Sequence, residues 1–329
     1  METTADTQLD RYYGQIQQVL EQVNRVLIGK EECVRKVMAA ILAGGHILMD
    51  DIPGVGKTTL AMAFSDALSL QSKRIQFTPD VMPSDILGFS MYQKQTGEFV
   101  YQPGAVICNL FLGDEINRTS PKTQSALLEV MEEGSVTVDG ITRAVPEPFI
   151  VIATENPAGS VGTQLLPESQ LDRFMICLSL GYPDLEDEIR IMQEKNQPSY
   201  FMENSNFENR AVMTAPELQE LRKRIEQVHI QQSIYRYICR LTQETRQNIY
   251  IDLGVSPRGT VALMRMAQAM AFLHRRNYVI PEDVAEVFLD VTAHRVLRGA
   301  KARAARLSAE QILQDILDQV RKPTAVGKN

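Results

Sequence analysis

The stretch of residues 46–60, HILMDDIPGVGKTTL, constrains the fold of this chain more than any other. It has the pattern of a short apolar strand, a glycine-containing loop and a helix that begins at Lys57. Glycines let backbone N–H groups approach phosphate oxygens, and the N-terminus of a helix adds a favourable dipole. The lysine can reach the β- and γ-phosphates of a nucleotide, and the Thr58 hydroxyl suits Mg²⁺. The stretch therefore predicts a polyphosphate-binding loop.

This loop departs at one position from the usual P-loop pattern, GxxxxGK[ST]. Asp51 stands where that pattern has its first glycine, while Gly54 and Gly56 remain. We interpret the stretch as a variant P-loop; the alternative is an ordinary strand–turn–helix that happens to spell Gly-Lys-Thr. The residues predicted to bind nucleotide here are Asp51, Pro53, Gly54, Val55, Gly56, Lys57, Thr58 and Thr59.

Length, composition and charge restrict the class of protein. The 329 residues suggest two domains, and 44% hydrophobic with 23% charged residues is the composition of an ordinary globular protein. The net charge of −7 argues against binding nucleic acid mainly through phosphate neutralisation. The four cysteines are far apart and the histidines lack metal spacing, which predicts reduced, structural thiols. Without a signal-peptide core or a run of about 18 apolar residues, the sequence predicts a soluble, cytoplasmic protein with no membrane span.

Two adjacent carboxylates, Asp114 and Glu115, follow a second apolar run. They would lie beside the P-loop if the two strands were neighbours in a parallel sheet. Because side chains alternate along a strand, the two carboxylates are expected to point in different directions. Asp114 would then hold the water shell of Mg²⁺, and Glu115 would accept a proton from the attacking water. An Asp-Glu pair alone is weak evidence, but the P-loop upstream favours this catalytic interpretation.

Two further positions are candidates for the same site. The apolar run 149–153 ends in Thr-Glu-Asn-Pro, so Asn156 could hold the attacking water or the γ-phosphate, or could simply be a turn residue before proline. Ile28 and Gly29 lie in a short apolar segment that could form a wall for an adenine ring. The same segment is equally well explained as a turn between two helices.

The chain divides where the alternation of strands and helices stops. Residues 9–183 are predicted to form an α/β nucleotide-binding domain, and residues 184–323 a helical domain. Two hairpins interrupt the first part, at 88–101 and at 135–143, the latter with an Asp-Gly turn. Aromatic side chains on the first hairpin could contact a substrate or could pack against their own domain.

These motifs together resemble the AAA+ ATPases, and more closely the MoxR family. The resemblance is carried by residues 51–58 (DIPGVGKT), 77–85 (FTPDVMPSD), 114–129 (DEINRTSPKTQSALLE), 153–157 (ATENP), 171–174 (LDRF) and 256–258 (SPR). It covers nearly the whole chain beyond the first dozen residues. Asp51 is in keeping with this family, and Glu155 stands where many relatives have glutamine.

The resemblance implies an α/β P-loop AAA+ core with a parallel five-stranded sheet and hairpin inserts, followed by a small all-helical lid domain. It implies ATP and Mg²⁺ as ligands, with Thr58 and Asp114 at the metal and Glu115 as the general base. Asn156 would be sensor 1, Arg173 the arginine finger and Arg258 sensor 2. Since Arg173 lies between the fourth and fifth strands, it is poorly placed for its own nucleotide and would serve a neighbour's. The resemblance therefore implies that the active enzyme is a homo-oligomer, most simply a hexameric ring.

The family further implies a chaperone-like motor that remodels or matures a client protein complex, with a von Willebrand factor A domain protein as partner. Both hairpins would then face the central pore or one face of the ring. One alternative is the ATPase subunit of a metal chelatase. A nucleic-acid motor is another, although the hairpins carry little basic charge. A non-hydrolysing, nucleotide-gated scaffold is disfavoured by the intact Glu115, Asn156 and Arg173.

Overall fold

The computed structural model describes residues 2–52, 54–155, 166–196 and 211–323, with side chains from residue 8 onward. The first part of the chain contains α1 (Glu2–Val26), α2 (Glu31–Leu42), β1 (Ile47–Asp50), α3 (Lys57–Ala67), β2 (Ser72–Gln76), α4 (Pro83–Leu87), β3 (Gly88–Gln93), β4 (Glu98–Pro103), β5 (Leu110–Asp114), a 3₁₀ turn (Ile116–Arg118), α5 (Pro121–Glu133), β6 (Ser135–Val138), β7 (Ile141–Ala144), β8 (Ile150–Glu155), α6 (Glu168–Leu171) and β9 (Ile176–Leu178). The second part contains α7 (Leu185–Lys195), α8 (Ala215–Ile225), α9 (Gln232–Gln247), β10 (Ile251–Leu253), α10 (Pro257–Leu273), α11 (Pro281–Thr292), a 3₁₀ turn (Ala293–Arg295), β11 (Leu297–Arg298), α12 (Ala300–Ala304) and α13 (Ala309–Gln319).

These elements form two compact units, each built from several segments. The first comprises Met1–Met38, Leu48–Leu165 and Leu178–Glu220, and the second Ala39–Ile47, Leu166–Cys177 and Leu221–Asn329. The domain boundary between residues 183 and 184 stays a prediction.

The five predicted strands form one parallel sheet in the order β2-β5-β8-β1-β9. β8 lies between β5 and β1, so the strand that ends in Asp114 is not the neighbour of the strand that leads into the P-loop. All five strands still end at one edge of the sheet, because parallel strands share a direction. The register places Gly113 opposite Ala153 and Asp114 opposite Gln76. The loop and the carboxylates therefore meet at the same edge.

Both predicted hairpins are present. β6 and β7 are joined by Asp139 and Gly140, which have φ of 53° and 76°, the left-handed backbone that a tight hairpin turn requires. On the β3–β4 hairpin, the cross-strand pair Tyr92 and Phe99 has ring centroids 5.4 Å apart. Phe99 is 74% exposed, whereas the Tyr101 hydroxyl donates to the Leu87 carbonyl at 2.6 Å. Tyr101 thus packs against its own domain, whereas a substrate contact through the exposed aromatics stays a prediction.

The described residues after 183 are mostly helical, as predicted, with one addition. Ser256 caps α10, accepting from the Gly259 N–H at 3.1 Å, and a capping box at Ser308 begins α13. The addition is a short antiparallel pair, β10–β11, whose strands of three and two residues are too short for a detectable period. Within the described ranges, none of the helices combines the length and apolar character needed to cross a membrane.

Candidate nucleotide-binding site

The P-loop region joins β1 to α3 through two glycines in the left-handed region. Gly54 has a φ of 90° and Gly56 a φ of 101°, a backbone that L side chains rarely adopt. Gly56 is the N-cap of α3 and has no side chain that could satisfy the first N–H groups of the helix. These groups, with the helix dipole, suit an anionic ligand. Thr58 is partly buried and Thr59 exposed in the first turn of α3.

Lys57 is a buried cation surrounded by carboxylates. The residue is 8% exposed, and its Nζ donates to the carbonyl oxygens of Asp51 at 2.6 Å and Ile52 at 3.2 Å. Burial lowers the pKa of Lys57, while the negative charges of Asp51, Asp114, Asp50 and Glu115 oppose that shift. The ammonium thus lies where it can bind anions, and the charges of Asp114 and Glu115 act on it.

Asp51, the residue that replaces the first glycine of the motif, has a visible structural role. Its carboxylate accepts from the Ser179 hydroxyl at 3.1 Å, from the Gly181 N–H at 3.3 Å and from the Leu180 N–H. It thereby joins the beginning of the loop to the segment that follows β9, about 130 residues along the chain. A glycine could not make this connection. Participation of Asp51 and Val55 in nucleotide binding stays a prediction.

Asp114 ends β5 as a buried carboxylate, 5% exposed, and its Oδ2 accepts from the Arg74 Nε at 2.7 Å. Sequence reasoning missed Arg74, which reaches Asp114 from the neighbouring β2. Among the residues that the structure describes, no three His, Cys, Asp or Glu side chains form a group that could hold a metal ion. Mg²⁺ is commonly held by one or two oxygen ligands together with water and substrate phosphates, and the Asp114 carboxylate and Thr58 hydroxyl fit that pattern.

Glu115 leaves the strand instead of continuing it, so the predicted alternation of side chains is the wrong explanation for its direction. Its backbone is left-handed, with φ 57° and ψ 49°, and its N–H donates to the Thr154 hydroxyl at 2.9 Å. The side chain accepts from the Arg118 Nη1 at 2.7 Å. Unusual backbone of this kind occurs often at functional sites. Arg118 lies three residues further on, a spacing that could have indicated the pair.

Asn156 and Pro53 lie outside the described residues, and the sensor-1 assignment stays a prediction. The neighbouring Glu155 ends β8, next to the P-loop: the Asp51 N–H donates to its carbonyl at 3.4 Å. Burial, together with the charge of Asp50, raises the pKa of Glu155 to about 7. A protonated glutamic acid resembles glutamine in shape and in hydrogen bonding.

We therefore expect Glu155→Gln to stabilise the protein in a pH-dependent way. The unfolded carboxyl ionises near pH 4.5, whereas the folded one keeps its proton until about pH 7. The wild type consequently loses stability as pH rises between these values, and the loss is complete above them. Unfolding in urea should show the variant more stable at pH 8 by on the order of 3 kcal/mol, and nearly equal at pH 4. A difference in stability between variant and wild type that does not change with pH would contradict this explanation.

The Ile28–Gly29 segment is the turn between α1 and α2, and Ile28 is buried. Gly29 has a φ of 71°, and a Cβ there would lie 1.8 Å from the Asp187 Oδ2. Glycine is thus needed so that α7 can pack closely against this turn. The structure explains the glycine as a turn residue, and a contact with adenine stays a prediction.

Arg173 and Arg258 both belong to the second unit. Arg173 lies two residues after the end of α6, and its N–H donates to the Gln170 carbonyl at 3.2 Å. Arg258 is the second residue of α10, after the cap Ser256. Sequence reasoning missed the ion pair beside Arg173, which Asp172 and Arg295 form at 2.8 Å. Their separation of 123 residues left no signal in the sequence.

Comparison with known proteins agrees with this geometry. Residues 46–176 match the family model described as ATPase family associated with various cellular activities (AAA), and residues 243–316 match the model of the AAA lid domain. The first match contains the P-loop, both carboxylates and Arg173, and the second contains Arg258.

Three individual proteins are similar over most of their length. YeaC of Bacillus subtilis, a protein of unassigned function, is 45% identical over 92% of this chain and 93% of its own. The chaperone MoxR1 of Mycobacterium tuberculosis is 33% identical over 94% of this chain and 82% of its own. A crystal structure of a candidate ATPase from Cytophaga hutchinsonii superposes with a TM-score of 0.88 at 36% identity, covering 98% of this chain and 100% of that one.

Proposed function

The chain belongs to the MoxR family of AAA+ ATPases, and on that premise we propose that it hydrolyses ATP in a homo-oligomeric ring to remodel or mature client protein complexes. The observation that best supports hydrolysis is that the P-loop lysine and the two carboxylates lie close enough in the first unit to interact electrostatically. There the charges of Asp114 and Glu115 act on the buried ammonium of Lys57, which follows a glycine loop at a helix N-terminus.

In this proposal the P-loop and Lys57 bind the phosphates of ATP. Thr58 and Asp114 would hold Mg²⁺, which would supply positive charge to neutralise the phosphates. The contact with Arg74 fixes one carboxylate oxygen of Asp114 and keeps its orientation constant. The Lys57 Nζ donates to two backbone carbonyl oxygens. Phosphate oxygens could take their place as acceptors, and they carry more negative charge than carbonyl oxygens.

Glu115 is the proposed base that accepts the proton of the attacking water, and Asn156 would orient that water or the γ-phosphate. Thr154 holds the backbone of Glu115 and Arg118 holds one carboxylate oxygen, so the side chain is directed from two sides. Arg173 would supply positive charge to the γ-phosphate of a neighbouring subunit, and Arg258 would act as sensor 2.

The hairpins are the proposed contacts with the client. Exposed apolar side chains on β3 and β4 are those of Phe89, Met91, Tyr92 and Phe99, and Ile141 is exposed on β7. The two hairpins are joined by the Arg143 guanidinium, which lies 4.0 Å from the centre of the Tyr101 ring. A von Willebrand factor A domain protein is the proposed partner of the ring.

Dependence of hydrolysis on assembly tests this proposal. Because the finger comes from a neighbour, the ATPase activity per subunit should fall steeply when the purified protein is diluted below the concentration at which it assembles. Analytical ultracentrifugation at the same concentrations should show that activity and oligomer disappear together. A strict monomer with undiminished activity per subunit would overturn the ring mechanism.

A further inference from the structure

Asp51 connects the P-loop lysine to the segment that follows β9. Its carboxylate accepts from the Ser179 hydroxyl and from the N–H groups of Leu180 and Gly181. Its carbonyl oxygen accepts from the Lys57 Nζ at 2.6 Å. The residue is 5% exposed, and hydrogen bonds to a carboxylate are stronger than those between neutral groups. The beginning of the P-loop is therefore firmly held to this segment.

The segment 179–187 leads from these hydrogen bonds to the turn between α1 and α2. Midway along it, the Tyr182 carbonyl accepts from the Lys30 Nζ at 2.9 Å. At its end, the Asp187 side chain packs on Gly29 and leaves no room there for a Cβ. The segment is thus fixed to the P-loop at one end and to the α1–α2 turn at the other.

The α1–α2 turn also lies directly against the P-loop. Leu27 is buried at the start of the turn, and a Cβ on Gly56 would lie 3.3 Å from the Leu27 Cδ2. A ligand whose phosphates bind at the beginning of α3 therefore has this turn as an immediate neighbour. All of these residues belong to the first unit. The gap between turn and P-loop is set by direct packing and by the hydrogen-bonded path through Asp51.

We propose that Asp51 is a positioning residue that holds the α1–α2 turn where it can contact the nucleoside part of a bound ATP. The carboxylate acts on the nucleotide only through residues 179–187, without touching it. Glycine, the usual residue at this position of the motif, leaves the turn free to move away from the P-loop. This positioning role rests on the proposed binding of ATP at the P-loop, whose hold on the phosphates does not require the carboxylate.

A comparison of two ligands separates the two parts of the site. Inorganic tripolyphosphate has a chain of three phosphates and no nucleoside, so it reports on the P-loop alone, whereas a non-hydrolysable ATP analogue reports on both parts. Asp51→Gly restores the usual residue of the motif, and Asp51→Ala removes the same carboxylate without the added flexibility of glycine. Calorimetry on the full chain measures the affinity for each ligand, and a competition titration shows whether both bind at one site.

We expect both variants to bind the ATP analogue about tenfold more weakly, as if the competent arrangement were populated about one tenth of the time, and to bind tripolyphosphate within about twofold of the wild type. Asp51→Asn, which keeps one acceptor oxygen, should lie between the wild type and Asp51→Ala. Lys30→Ala, which removes the contact with Tyr182, should weaken binding of the analogue in the same selective way. Lys122→Ala is the matched control, since it removes an exposed lysine of α5 in the same unit, and it should bind both ligands normally.

The outcomes separate this positioning role from the proposed function. If the wild type does not bind the ATP analogue, the proposed ATPase is refuted and the role of Asp51 with it. If the wild type binds both ligands but the Asp51 variants lose affinity for both equally, or for neither, the positioning role alone is refuted. Failure of tripolyphosphate to compete with the analogue would refute it as well, because the site would then not divide into these two parts.

Thermal melts show whether each variant is folded. Where the loss of the carboxylate prevents folding, Asp51→Asn and Lys30→Ala carry the same comparison, because each weakens the path while keeping part of it. A purely structural role of Asp51 predicts that a folded variant loses affinity for both ligands in equal proportion, whereas the positioning role predicts a loss for the ATP analogue alone.

Discussion

Replacing Glu115 by glutamine is expected to lower the turnover of ATP by about 10²–10⁴-fold and to leave ATP binding nearly unchanged. Glutamine has the same shape but cannot accept the proton of the attacking water. The left-handed backbone at this position is held by the Thr154 hydroxyl through a main-chain N–H, which the substitution keeps. The amide oxygen can also still accept from Arg118. Steady-state hydrolysis and equilibrium binding of a fluorescent ATP analogue would measure the two effects.

The matched control for this variant is Glu129→Gln, a change of the same chemistry on the exposed face of α5 in the same unit. It should hydrolyse ATP at the wild-type rate. Substantial turnover by Glu115→Gln would show that another group is the base. If the assignment is right, the ATP-loaded Glu115→Gln protein would also hold its clients, and these could be recovered by affinity purification.

Replacing Arg173 by alanine should reduce ATP hydrolysis by about 10³-fold with nucleotide affinity nearly intact. The physical reason is that a finger supplied by a neighbour stabilises charge that develops on the γ-phosphate only in the transition state. Its loss therefore affects turnover more than binding. Hydrolysis rates at saturating ATP, together with binding measured by calorimetry, separate these two quantities.

Arg265→Ala provides the control for Arg173→Ala, since Arg265 is an exposed arginine on α10 of the same unit. Its removal should leave turnover unchanged. Arg173→Lys should recover part of the activity, because lysine keeps the charge but loses the planar guanidinium. Normal hydrolysis by the alanine variant would exclude Arg173 as a finger, in cis or in trans.

Features that depend on neighbouring residues were accessible from the sequence. The helix 121–133 has its ends marked by residues of its own segment: Ser120 caps it, Pro121 begins it and Gly134 ends it. The Asp-Gly turn of the second hairpin was predicted from two adjacent residues, and the Ser256 cap of α10 is an equally local feature. The P-loop belongs to this class as well, since its glycines, lysine and helix start are consecutive.

Features that depend on strand order were only partly accessible. The sequence predicted five parallel strands, but β8 between β5 and β1 is decided by crossovers that local pattern does not report. The direction of Glu115 was inferred from strand alternation, whereas a left-handed backbone held from β8 determines it. Thr154 and Glu115 are 39 residues apart, so no local rule connects them.

By itself the sequence determined the chemistry of this protein: a glycine loop with a lysine, two carboxylates and the helix ends that present them. Only the tertiary structure decided which partners hold those groups. Asp51 reaches Leu180, Arg74 reaches Asp114, and Arg295 reaches Asp172 across 129, 40 and 123 residues. The reason is physical. Helix caps and turns gain their free energy within a few residues, whereas a buried charge is satisfied by whichever group the packed chain brings to it.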